Sequence, residues 1–287
     1  MLKSLLARLG ASNRIAIEES LWNDALARLP FVTRLDPIER QRLRALCERL
    51  LSEKEMTAAG SLELTASMQV MIAVQACLPV LNLGIEWYRG WSSIIVYPGE
   101  FIVPREQTDE AGVVHEYTET ICGEAWDGGP LLLSWEDAAG RGTPGLNAGC
   151  NVVIHEFTHK LDMLNGEPDG VPPFDPVLHS GLHSSAWRDV LLDAYERFNA
   201  ELELLATELP AGIDPDSDEA DSHYLQLPLD PYAAHSEGEF FAVSSEAFFV
   251  DAARLEHAFP AWYRMLAAFF RQDPLAAGTG PRPGQRG

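Results

Sequence analysis

Residues 151–166 read NVVIHEFTHKLDMLNG, and this stretch decides the fold. Val152, Val153, Ile154, Phe157 and Leu161 recur at helical spacing, and Asn165-Gly166 ends the run as a stop signal. A helix is expected from about Asn147, as its cap, to Leu164. On it His155 and His159 stand one turn apart, so both imidazoles project from one face toward a common point. Glu156 follows the first histidine and can reach a water on a metal held there, where it would act as general base. Three polar residues in so apolar a helix are costly to bury unless each has a partner.

Two histidines do not complete such a centre. A catalytic zinc takes a third protein ligand and keeps one position for water. Asp162 stands where the HExxHxxGxxH pattern needs Gly, and Asn165 where it needs the third His, so that pattern is excluded. A glutamate from a later helix remains. SEGEFFAVSSEAFF, residues 236–249, offers Glu239 and Glu246 on roughly one face among phenylalanines, and spacing alone does not choose between them. Asp162, three residues after His159, is placed to accept a hydrogen bond from a ligand imidazole.

Outward from this core the chain is α+β, with strands grouped ahead of the key helix. LDPIERQRLRALCERLLSEK, residues 35–54, has Asp36 as N-cap, Pro37 at the first helical position and Glu39 completing a capping box. SSIIVYPGEFIVP (92–104) and VVHEYTETI (113–121) read as strands. GPLLLSW (129–135) reads either as an edge strand that would accept an extended peptide or as a plain core strand. GEPDGVPPFDP (166–176) is a loop, followed by a helix through Trp187 to Leu209. The acidic, proline-bearing insert between Pro210 and Pro231 reads as a peripheral solvated loop, a candidate lid. Its Asp214, Asp216 and Asp218 imitate a calcium loop, but Glu219 replaces the required Gly.

With 43 acidic and 21 basic residues the formal charge is −22, which excludes direct nucleic-acid binding through a basic surface. Cys47, Cys77, Cys122 and Cys150 are scattered without a CxxC pair, as in a reducing compartment. MLKSLLARLG lacks the long apolar core of a signal peptide, and Met68 to Gly84 is interrupted by Gln69, Gln75, Pro79 and Asn82. A cytoplasmic protein without a membrane span is expected. His115, His179, His183, His223, His235 and His257 lack a helix-paired partner and read as ordinary surface or core residues.

HEFTHKLD (155–162) followed by DPYAAHSEGEFFAVSSEAFF (230–249) resembles the Mlc titration factor A family of cytoplasmic metallopeptidases, itself similar to the catalytic domain of anthrax lethal factor. The likeness extends through LPVLNLGIEWYRGW (78–91), VYPGEFIV (96–103), GEAWDGGPLLLSW (123–135) and GVPPFDP (170–176), covering about residues 20–275. It implies a zincin-like fold, with the active-site helix under a small mixed sheet and helices ahead of it. It implies a zinc-dependent peptidase: His155, His159 and Glu239 as metal ligands, Glu156 as base, and Tyr232 as oxyanion donor. The position of Glu239 at the opening of its helix agrees with this, and leaves Glu246 to reach an outer imidazole nitrogen. The loop before Tyr232 is longer here than in the family.

The organisation expected is a tail at 1–14 and a metallopeptidase domain at 15–275. That domain divides into a helical part to about 90, strands and active-site helix at about 91–166, and a helical lobe at about 167–275; a tail follows at 276–287. The partners implied are a peptide or protein substrate and, through the family, a glucose-responsive transcriptional repressor of the Mlc type. A binding module that keeps zinc only for structure would have no use for Glu156 beside an open coordination position.

Overall fold

The computed structural model describes residues 15–108, 114–140, 150–210, 212–214, 217 and 219–276; the two expected tails (save Ala276), Asn147, Asp216 and Asp218 lie outside them. The first helices form as their local signals require. Helix α1 (Glu19–Arg28) leads through a short turn to α2 (Pro37–Glu53), where Asp36 accepts the Ile38 and Glu39 amides and Glu39 accepts that of Asp36. Helix α3 (Ala66–Cys77), capped by Thr65, carries the most apolar stretch and is buried on nearly all sides, which makes it a core helix. No helix among the described residues is long and apolar enough to cross a membrane.

A four-stranded mixed sheet has the order β1-β2-β6-β5, with β1 (Glu55–Ala58), β2 (Ser93–Tyr97), β6 (Leu131–Ser134) and β5 (Gly123–Ala125). The β1–β2 and β2–β6 pairs are parallel, whereas β5 runs antiparallel to β6. Strands β3 (Phe101–Thr108) and β4 (Val114–Ile121) form a separate antiparallel pair. LLLS of β6 is buried at every position, so it takes the core reading and not the edge. A run apolar on both faces needs cover on both, which only an interior strand receives. The edge beside the key helix is instead β5, three half-buried residues long.

After the short helix α4 (Trp135–Ala138) comes the key helix α5 (Val152–Asp162). It starts later than expected: Asn151, not Asn147, accepts the Ile154 amide as N-cap. Helix α5 packs against α3, the sheet and α8 (Glu237–Val250). Around α8 lie α6 (Ser184–Thr207), α9 (Ala252–Ala258) and α10 (Pro260–Phe270). Trp187 meets Trp262, Phe241 and Phe269 edge-to-face, closing a core that runs without a break from Ile17 to Phe270.

The acidic insert is not peripheral throughout. Its second half forms α7 (Asp221–Tyr224), and Ala220, Tyr224, Leu227 and Leu229 are buried, while Arg254 donates to the Leu225 and Leu227 carbonyls. Apolar residues spaced between the acidic ones give this segment an inward face. Leu227→Ala should therefore cost about 2–5 kcal/mol of stability, as a truncated core leucine does, measured by denaturant unfolding.

Candidate metal centre

The centre is built from the start of α5. Asn151 uses all its polar groups: Oδ1 caps Ile154, Nδ2 donates to Gln75 Oε1 at 2.7 Å, and its backbone N–H donates to a Glu246 carboxylate oxygen. Gln75 Nε2 in turn donates to the Met71 and Ala138 carbonyls. The register of α5 is thereby tied to α3 and α8. From it His155 and His159 project with ring centroids 4.7 Å apart and Nε2 atoms 3.1 Å apart.

Glu239 enters from the first turn of α8, whose cap Ser236 accepts the Glu239 amide. Its Oε2 lies 3.0 Å from His155 Nε2 and 3.2 Å from His159 Nε2. The three donors form a cluster with ligand atoms all within 4.8 Å of one another. A tetrahedral ion with bonds of about 2.0–2.1 Å spaces its donors roughly 3.3 Å apart, close to what these atoms show. Two imidazole nitrogens and one carboxylate oxygen suit zinc or another borderline divalent ion. Glu246, two turns along α8, stands 2.7 Å from His155 Nδ1, which orients the ring with Nε2 toward Glu239.

The local charges oppose one another. Burial alone would lower the His155 pKa, but its hydrogen bonds with Glu239 and Glu246 hold it well above the ordinary imidazole range. Burial would likewise raise Glu239, yet the two imidazoles hold it well below the ordinary carboxylate range. Glu156 is 4% exposed, and burial pushes its pKa up to about 8; His155 opposes the shift, and Glu239, Glu246 and Glu124 add to it. A divalent cation at the three donors works against that rise and favours an ionised Glu156.

Backbone contacts fix the entry of α8. A Cβ on Gly238 would collide with the Pro168 carbonyl oxygen, and one on Gly170, at φ +75°, would come within 2.6 Å of the Glu237 carbonyl. Asp162 Oδ2 accepts the Gly170 amide at 2.8 Å, so the last residue of α5 holds the loop on which the first turn of α8 rests. Its other oxygen and His159 Nδ1 are both buried and have no partner among the described residues. Asp162 thus meets the backbone of Gly170, where the sequence suggested a ligand imidazole. Burial, opposed by the Gly170 bond and by His159, pushes the Asp162 pKa up to about 7.

Tyr232, 40% exposed, lies in the turn Pro231–Ala234 with its ring 6.0 Å from that of His155. His235, which the sequence reading set aside, packs on it at 4.6 Å. Asn151, Gln75 and the paired glycines also escaped that reading. Only Asn151, directly ahead of an apolar helical run, carried a usable signal.

The chain matches the model of the glucose-regulated metallo-peptidase M90 family over residues 6–271. Curated relatives bear the name Mlc titration factor A. That of Serratia proteamaculans is 36% identical, with 89% of this chain and 88% of the relative covered. That of Salmonella schwarzengrund is 35% identical with 90% and 88% covered, and that of Yersinia enterocolitica 35% with 89% and 86%.

Two outcomes follow from this geometry. With His155 and Glu156 both protonated in the metal-free protein at pH 7, zinc binding should release up to about two protons, and affinity should rise with pH until both groups lose their protons unaided. Titration calorimetry in buffers of different ionisation enthalpy reads this directly, and no buffer dependence would contradict it. Gly238→Ala should displace the first turn of α8 and weaken zinc binding by about 10–100-fold in a chelator competition, as changes behind a ligand do.

Proposed function

The chain belongs to the glucose-regulated metallo-peptidase M90 family, and from that premise we propose that it is a zinc-dependent peptidase with Glu156 as general base. His155, His159 and Glu239 would hold the zinc. The observation that carries this reading is Glu156 Oε2, a buried carboxylate oxygen with no partner among the described residues, on a group that feels the charges of His155 and Glu239. A purely structural zinc site has four protein ligands and no need of such a group.

Zinc held there supplies Lewis acidity, lowering the pKa of a water and polarising a carbonyl. Glu156 takes the proton of the attacking water and passes it to the leaving amine, roles that suit a carboxyl whose pKa lies near the working pH. Glu246 and Asn151 keep His155 turned toward the donors. Tyr232, whose ring lies 6.0 Å from that of His155, donates to the developing oxyanion. The four cysteines are all free thiols, which supports a cytoplasmic setting.

The name of the relatives favours a second, compatible role: binding of an Mlc-type transcriptional repressor. Size-exclusion chromatography of the chain with such a repressor tests it, co-elution being expected and separate peaks counting against it.

Glu156→Gln should keep the metal and fold but lower kcat by about 10²–10⁴-fold. Parental turnover by this variant would remove Glu156 from the mechanism. Glu239→Ala should lose a ligand and bind zinc far more weakly, whereas Glu246→Ala should cost about 10–100-fold. Chelator competition compares the two, and the reverse order would exchange their roles.

A further inference from the structure

Lys160 is the least expected residue of α5. It is 3% exposed, although lysine is a surface residue by habit, and it follows the second histidine of the motif. Its Nζ donates to the Trp126 carbonyl at 2.5 Å and the Gly129 carbonyl at 3.0 Å, and lies 5.0 Å from the centre of the Trp91 ring. Both carbonyls belong to the turn that leaves β5 and leads into β6, a turn closed by Gly129 N–H to Trp126 O and Trp126 N–H to Pro130 O. Methionine would fill the same space without the cost of burying an ammonium. What the charge adds is a two-point attachment of that turn to the helix.

The other end of β5 also rests on α5. A Cβ on Gly123 would collide with the Glu156 carboxylate, so the strand backbone lies directly on the base. Glu156 and Lys160 are one helical turn apart, and β5 is supported at Gly123 by the first and beyond Ala125 by the second. Beside this, β5 pairs with β6 on one side, and no described strand pairs with its other side. A strand only three residues long has little pairing energy of its own to keep it in place.

We propose that Lys160 is a positioning residue for extended peptide substrates: it holds the Trp126–Gly129 turn so that the unpaired side of β5 stays at a fixed distance from Glu156 and the metal donors. The proposal rests on the peptidase reading for its substrate, but not for the attachment itself. A peptide long enough to lie along β5 depends on Lys160, and a single-residue amide bound only at the donors does not.

The test compares the parent with Lys160→Met, which keeps the length and loses both bonds, and Lys160→Gln, which keeps a donor. Zinc content should remain one per chain in both. Hydrogen exchange of the amides at 123–131 should be about tenfold faster in Lys160→Met, with α8 unchanged. For fluorogenic peptides of five or more residues, kcat/KM should fall on the order of 10- to 100-fold, chiefly through KM, while single-residue amides change little. Lys160→Gln should recover part of the peptide effect and carries the test if Lys160→Met does not fold. Unchanged exchange at 123–131, an equal loss on short and long substrates, or loss of zinc would overturn the assignment. If zinc-loaded parent cleaves no peptide of any length, the peptidase reading fails, and the exchange measurement alone decides whether Lys160 holds the strand.

Discussion

The candidate metal centre depends on one carboxylate with two tasks. Glu246 accepts the backbone N–H of Asn151 and faces His155 Nδ1, so it joins α8 to the start of α5 and sets the ring in a single pair of contacts. The placement of the three donors follows. With the ring fixed, its Nε2 can stand about as far from Glu239 as from His159, and the three donors converge. The interaction also explains why the group is buried: a carboxylate shared between an amide and an imidazole is fully engaged, and water would compete for both.

A second constraint runs through backbone, where side chains have little to say. Asp162 at the end of α5 holds Gly170, Gly170 lies against Glu237, and Gly238 lies against Pro168. Helix α8 is therefore set on α5 at its first turn by peptide groups in close contact, and two turns later by Glu246. A donor on the first turn of a helix would otherwise fray with it. Two fixed points along α8 remove that freedom and leave Glu239 only its own side-chain torsions.

Local features were legible in the sequence, and features that need a neighbour were not. One-turn spacing of His155 and His159 is a property of the helix itself, as is the capping box at Asp36. Asn147 and Asn151 both precede the apolar run in the sequence, and what fixes Asn151 as the cap of α5, its contacts with Gln75 and Glu246, lies far away along the chain. GPLLLSW shows its burial but not its neighbours, and only β2 and β5 on either side of β6 distinguish a core strand from an edge. The acidic insert was read by its charges, which hid Tyr224 and Leu227 beneath them. The burial of Lys160 has no sequence signal, because its partners, two carbonyls some thirty residues earlier, leave no mark in composition.

The distance along the chain between the donors has its own consequence during synthesis. His159 and Glu239 are separated by 80 residues, and Asn151 and Glu246 by 95. A ribosome that has delivered α5 has exposed both histidines, a bare imidazole pair whose preference among divalent ions follows intrinsic affinity and favours copper and nickel. The carboxylate that turns the pair into a three-donor site arrives only with α8, and it is held in place only once the glycine-lined loop has docked. All three donors therefore stand together only in the folded chain, after α8 has docked on α5, and a tetrahedral three-donor geometry is offered to an ion from that point on.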